Sequence, residues 1–123
     1  MAYRSFEELE VWKRACKLAV NVYLAVKDSR EFGLRDQINR AAVSIPSNIA
    51  EGAERDSIKE FIHFLHIAKG SVAELRTQLY IAEKIGILTP LMTRPLVTET
   101  KEISSMLQGL IKSKNPNLKT PNP

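Results

Sequence analysis

The sequence predicts an all-α chain folded as an elongated bundle of four helices. Three observations lead there. Apolar residues recur at three- and four-residue steps over long segments. The 123 residues include only 5 Gly and 6 Pro, and every proline except Pro46 falls after residue 89. Aromatic residues are sparse at 7%, which disfavours sheet. An apolar content of 44% suffices for one real core. Residues 1–112 therefore read as a single bundle domain and 113–123 as a tail.

In the first segment Ser5 and Glu8 fit a capping box, and Leu9 is an equally good opening residue. Leu9, Trp12, Ala15, Cys16, Ala19, Val22, Tyr23 and Val26 then form an apolar stripe that Val11 and Leu18 widen. Lys13, Arg14, Lys17 and Asn21 take the opposite side. DSREFG (28–33) reads as the turn, closed by Gly33.

The second segment places Leu34, Ile38, Ala41, Ala42, Ile45 and Ile49 on one side, with Pro46 inside that register. Proline offers no N–H to the carbonyl four residues back, and its ring crowds that carbonyl, at a cost of about 3 kcal/mol in a helix interior. The helix must bend there, or stop and restart. A kinked helix of about 18 residues, ended near Gly52, is the favoured reading. Ser44, Ser47 and Asn48 are placed to satisfy freed backbone groups, and Ala41, Ala42, Ala50 and Gly52 to admit a neighbouring helix closely.

The third segment opens with a second capping box, Ser57 and Glu60. Phe61, Leu65, Ala68, Val72, Leu75, Leu79 and Ala82 follow in a heptad seam. From Ser57 to Ile85 the helix would be roughly 43 Å long, whereas a compact globule of this size has a radius of gyration of about 14 Å. The bundle is therefore elongated. Ile67, Ile81 and Ile85 lie off the seam beside Gly70, Ser71, Glu74 and Gln78, and call either for a third neighbour within the bundle or for a contact between subunits. GILTP (86–90) ends this helix. The fourth starts at Pro90 or just after Thr93, because Pro95 suits an early helical position and not an interior one. Leu96, Ile103, Met106 or Leu107, and Leu110 continue its apolar face. SKNPNLKTPNP (113–123) has little to bury and reads as a frayed basic tail.

The N-terminus carries four charges before residue 11 and lacks the apolar core of a secretion signal. No uncharged apolar run reaches 18 residues. A soluble cytoplasmic protein with no membrane role is expected. Cys16, the single cysteine, reads as a buried small hydrophobe.

Catalytic signatures are absent: no HExxH, paired-cysteine, GxxxxGK or GxGxxG pattern occurs. His63 and His66 are three apart, with no third metal ligand beside them. A carboxylate-bridged di-metal bundle needs Glu-x-x-His pairs facing inward, and the one pair present, Glu60 to His63, faces largely outward. Glu51 beside Gly52 and Arg55 reads as an ion pair or cap, and Glu74 with Arg76 or Gln78 as a polar contact within or between chains. An enzyme using Glu51, Glu74 and His63 is the remotest reading. No catalytic residue, metal, cofactor or small-molecule substrate is expected.

The net charge of +4 is mild. Lys13, Arg14 and Lys17 on the first helix, Arg35 and Arg40 on the second, and Arg55 and Lys59 at the next junction are the candidate nucleic-acid-binding residues. Their weak, salt-dependent phosphate contacts would sum around an oligomer. A plain solvated surface explains them equally well. No aromatic row or helix-turn-helix spacing accompanies them, so recognition would be of backbone and shape.

FEELEVWKRACKLAVNVY, INRAAVSIPSNIAEG and SIKEFIHFLHIAKGSVAELRTQLYIAEKIGIL together resemble the bacterial four-helix bundle proteins called the S23 ribosomal or 23S rRNA intervening-sequence proteins. The resemblance runs from about Tyr3 to Leu110 and rests on RAAxSIPxNIAEG followed by KEFxxFLxIAxGSxxELxxQL. It departs in the fourth helix, where Pro90, Pro95 and a Thr-rich turn replace a more acidic opening. The resemblance implies an antiparallel, up-and-down, left-handed bundle that assembles into a ring, typically a homopentamer, with no enzymatic activity. Some members are encoded within insertions in large-subunit rRNA genes. A related branch comprises accessory proteins of diversity-generating retroelements, basic pentameric barrels that bind nucleic acid and a reverse transcriptase. The motif falls on Arg40, Ser44, Pro46, Asn48, Glu51 and Gly52, and on Gly70, Ser71, Glu74, Leu75 and Gln78, a pattern suited to tight helix contact and inter-subunit hydrogen bonding. The expected function is a non-enzymatic homo-oligomeric scaffold that binds structured RNA or other nucleic acid through basic patches. The alternative is an adaptor whose ring recruits another protein.

Overall fold

A computed structural model describes residues 5–115. A 3-10 turn, Phe6–Glu8, leads into α1 (Glu10–Val26), α2 (Phe32–Ala53), α3 (Ile58–Lys84) and α4 (Pro90–Lys114), and no strand occurs among the described residues. The connections 27–31, 54–57 and 85–89 are short, so consecutive helices run antiparallel. α1 packs on α2 and α4, and α3 packs on the same two, most extensively on α2. The 27 residues of α3 make a rod roughly 40 Å long. The protein is an all-α, elongated four-helix bundle, as the periodicity predicts. α4 takes in Ser113 and Lys114, two residues expected in the tail; residues 116–123 of that tail lie outside the described residues.

The α3 seam is buried throughout, from Phe61 at 4% exposed to Leu65, Leu75 and Leu79 at 0%. In α2, Ile38, Ala41, Ala42, Ile45 and Ile49 are buried on the expected side. α1 differs from expectation. Its core row is Val11, Ala15, Leu18, Val22 and Val26, which runs through two residues expected only at the margin. Tyr23, placed in the stripe by spacing, is 56% exposed. Cys16, expected buried, is half-buried, and the burial it has pushes its thiol pKa up. α1 packs against both α2 and α4, and facing two neighbours brings the row through Leu18 into the core while Ala19 stays at its edge. In α4, Leu107 enters the core and Met106 stays at its edge.

Helix ends follow local chemistry. Ser5 caps the 3-10 turn, accepting from the Glu7 N–H at 3.2 Å, while α1 opens after Leu9 without a side-chain cap. Ser57 Oγ accepts from the Glu60 N–H at 3.1 Å and Thr89 Oγ1 from the Met92 N–H at 3.2 Å. Gly33 does not close the first turn but lies inside α2, whose 22 residues begin at Phe32. Gly86 adopts φ 88°, letting the Ile87 N–H reach back to the Ala82 carbonyl at 2.9 Å and end α3.

Both interior prolines are absorbed. α2 runs through buried Pro46 without interruption, so the stop-and-restart alternative is set aside. α4 starts at Pro90 and keeps Pro95 within it, contrary to the expectation that Pro95 excludes an interior position. Pro95 deprives the Leu91 carbonyl of its helical donor, but Leu91 is 84% exposed and water can serve in its place.

Gly52 is not a terminal glycine in a left-handed conformation. It is buried in the last turn of α2, where an added Cβ would lie 2.6 Å from Phe64 Cβ and 3.2 Å from the Phe61 carbonyl oxygen. Hydrogen at this position is what lets α2 and α3 approach.

Candidate functional site

The motif residues gather along the α2–α3 seam. Ser44 Oγ and Ser71 Oγ share a hydrogen bond of 2.8 Å across it. Asn48 Nδ2 donates to the Ser44 carbonyl at 2.8 Å and to Ser44 Oγ at 2.9 Å. Asn48 and Ser44 thus tie the turn around Pro46 to α3, while Ser47 is exposed and takes no part. Arg40, Ser44 and Glu74 line a shallow groove with Gln37 and Ala41. Leu75 is core. Gln78 is 6% exposed and its Oε1 has no partner among the described residues.

Three expectations need correction here. Gly70, expected among the tight contacts, faces outward, and a Cβ there would meet nothing within 4 Å among the described residues; the close approach belongs to Gly52. Glu74 does not pair with Arg76 or Gln78. Arg76 Nε donates to Thr100 Oγ1 of α4 at 3.1 Å, because two residues along a helix turn the side chain to the other flank. Ile67, Ile81 and Ile85 find no third neighbour among the described residues: they are 38%, 45% and 56% exposed.

Glu51 pairs with Arg55 at 2.8 Å, the structural ion pair anticipated for it. Glu74 sits beside Ser44, seven residues from Glu51 and so about 10 Å along α2. His63 and His66 are exposed, His63 edge-on to the Phe64 ring at 5.4 Å. Glu51, Glu74 and His63 do not converge, and among the described residues no three His, Cys, Asp or Glu side chains gather to hold a metal.

The basic candidates do not form one patch. Arg14 reaches across to α4, its Nε and Nη2 donating to the two carboxylate oxygens of Glu99 at 2.8 and 2.6 Å. That hydrogen bond raises the guanidinium pKa above its ordinary value, against the opposing effect of burial. Lys13 and Lys17 are exposed on α1. Arg35 is held over the Phe32 ring at 4.8 Å and lies 3.5 Å from Asp36. Arg55 is shared between Glu51, Glu60 and the Phe64 ring. Arg40 and Lys59 are exposed on α2 and α3. Sequence reasoning missed a different cluster: Lys69, Arg76 and Lys101 line the cleft between α3 and α4 with Ser104, Ser105 and Gln108. The seven-residue step from Lys69 to Arg76 was the available signal.

Arg14 and Glu99 lie about one-third exposed, at 34% and 30%, so water screens the pair and its worth is about 0.5–1 kcal/mol. A double-mutant cycle of Arg14→Gln and Glu99→Gln, followed by urea unfolding, should return a coupling of that size. Strict additivity would mean that the pair contributes nothing.

These features define a four-helix bundle protein whose most specific residues build contacts between helices. The chain belongs to the 23S rRNA-intervening sequence protein family, whose description matches residues 7–109. It is also similar to a solved crystal structure from Bacteroides thetaiotaomicron VPI-5482, described as a protein with unknown function from the S23 ribosomal protein family. The two share 27% identity with a TM-score of 0.78, covering 83% of this chain and 98% of the other. No curated protein matches the chain. Among the described residues no helix is long and apolar enough to cross a membrane.

Proposed function

We propose that the protein is a non-enzymatic homo-oligomeric scaffold that binds structured RNA or other nucleic acid through its basic residues. The observation that carries this reading is apolar surface left outside a complete core. Ile67 and Ile81 of α3 and Ile85 just beyond its end stand exposed, Ile67 four residues from Ser71 of the motif and the other two three and seven from Gln78. A second group, Val20, Tyr23 and Leu24 of α1 with Val43 of α2, is 54–56% exposed. Exposed apolar side chains on more than one helix suit head-to-tail contacts, which form a ring where the rotation closes. Association would also cover the unpartnered Gln78 and multiply each copy's modest positive charge. Neither family description names an enzymatic activity.

Light scattering at micromolar concentration should give several times the 13.9 kDa of one chain. Ile81→Lys should return the particle to the monomer mass with its helical circular dichroism retained, because Ile81 is 45% exposed and contributes little to the core. A wild-type mass of one chain overturns the scaffold reading. An assembly that shows no RNA or DNA binding at low salt removes the nucleic-acid role and leaves the protein-recruiting adaptor.

A further inference from the structure

We propose that the cleft between α3 and α4 is a track for a nucleic-acid phosphodiester backbone, held by Lys69, Arg76 and Lys101. This assignment deepens the nucleic-acid reading and rests on it. Unlike Arg14, Arg35 and Arg55, these three cations have no carboxylate within 4.0 Å among the described residues. Glu99 is turned to Arg14 on the α1 side of α4, with Glu102 on that side too, and Glu74 lies on the α2 flank of α3. Among the described residues nothing acidic therefore lines the cleft, and none offsets its positive charge.

Two of the cations are held in place. Lys69 Nζ donates to Gln108 Oε1 at 2.6 Å. Arg76 Nε donates to Thr100 Oγ1, which in turn donates to the Val97 carbonyl at 2.6 Å. These bonds position the stems and leave the terminal guanidinium nitrogens of Arg76, and the remaining ammonium protons of Lys69, free to meet a ligand. Ser104 and Ser105 add hydroxyl donors beside them.

The ligand class follows from spacing and lining. Lys69 and Arg76 are two helical turns apart, about 10 Å, too far for one small anion to bridge but suited to successive phosphates of a chain. Every lining residue is polar, so the cleft offers no seat for the apolar anchor of a protein partner. No aromatic ring is present to stack an unpaired base. Contacts would be to backbone, positioning a folded RNA without reading its sequence.

The test is fluorescence anisotropy with a labelled RNA hairpin over a series of salt concentrations. It compares the full chain, a cleft variant (Lys69→Gln, Arg76→Gln, Lys101→Gln) and a control (Lys13→Gln, Arg14→Gln, Lys17→Gln). The cleft variant should bind at least tenfold more weakly, with the dependence of log K on log salt flattened by roughly 2–3 per engaged copy, while the control changes less. Equal binding by wild type and cleft variant, or a larger loss in the control, overturns the cleft and leaves the broader reading standing. No wild-type binding overturns both. Lys101→Gln alone gives a readout even if the triple variant unfolds: Lys101 is exposed, and its loss should flatten the slope by about 0.9. An unchanged slope counts against the cleft.

Discussion

Gly52→Ala is expected to destabilise the protein by about 1–3 kcal/mol, although alanine is the better helix former by roughly 1 kcal/mol. The two effects oppose each other and the steric one wins. The new methyl would stand 2.6 Å from Phe64 Cβ, 3.2 Å from Phe61 Cδ1 and 3.2 Å from the Phe61 carbonyl oxygen. A Cβ and a backbone oxygen cannot swing aside as the end of a long side chain can. Relief requires α2 and α3 to separate, which loosens the core around Leu65. Gly109→Ala is the matched control: an added Cβ meets nothing within 4 Å there, so that variant should gain up to about 1 kcal/mol. Urea unfolding of both variants at one protein concentration decides the point. A neutral or stabilising Gly52→Ala would show that the two helices do not approach so closely.

Leu65→Ala is expected to cost about 2–5 kcal/mol. Leu65 is 0% exposed and sits one turn in from the N-terminal end of the α3 seam, so removing its isobutyl group loses transfer free energy and leaves a cavity that rigid helices on both sides close only in part. That is a large share of the 5–15 kcal/mol typical of a domain. Ile81→Ala, on the same helix and of similar chemistry, should change the stability of the single chain by roughly 0.5 kcal/mol or less, because Ile81 is 45% exposed. Measurements at several protein concentrations separate this intrinsic term from stabilisation by assembly, which mass action makes concentration dependent. Comparable losses from the two substitutions would mean that the seam has been placed on the wrong face.

Most of the bundle was legible because a helix repeats its environment every three or four residues. The α3 seam, the α2 face and the Ser57 cap all follow from that period and from one hydroxyl. The motif around Pro46 was legible as a site of close contact, but Gly70 and Gly52 look alike in a string of letters. Only the neighbour decides that Gly52 meets Phe64 while Gly70 meets nothing. The charged residues were the least legible. Arg14, a phosphate ligand by its place in the sequence, is engaged by a carboxylate 85 positions away, whereas Lys69 and Arg76, which the sequence does not single out as ligands, have no such partner among the described residues. Charge compensation is a property of pairs, and a sequence supplies only their members.

By itself, the sequence determined that there are four helices, which face of α2 and of α3 is buried, and which family motif the chain carries. These are local consequences of periodicity and capping. Tertiary structure alone decided which α1 row enters the core, that Pro95 is carried inside an intact helix, and which cations have no carboxylate partner among the described residues. Each of these depends on what lies across the seam, because burial, carbonyl solvation and ion pairing are energies of two surfaces brought together.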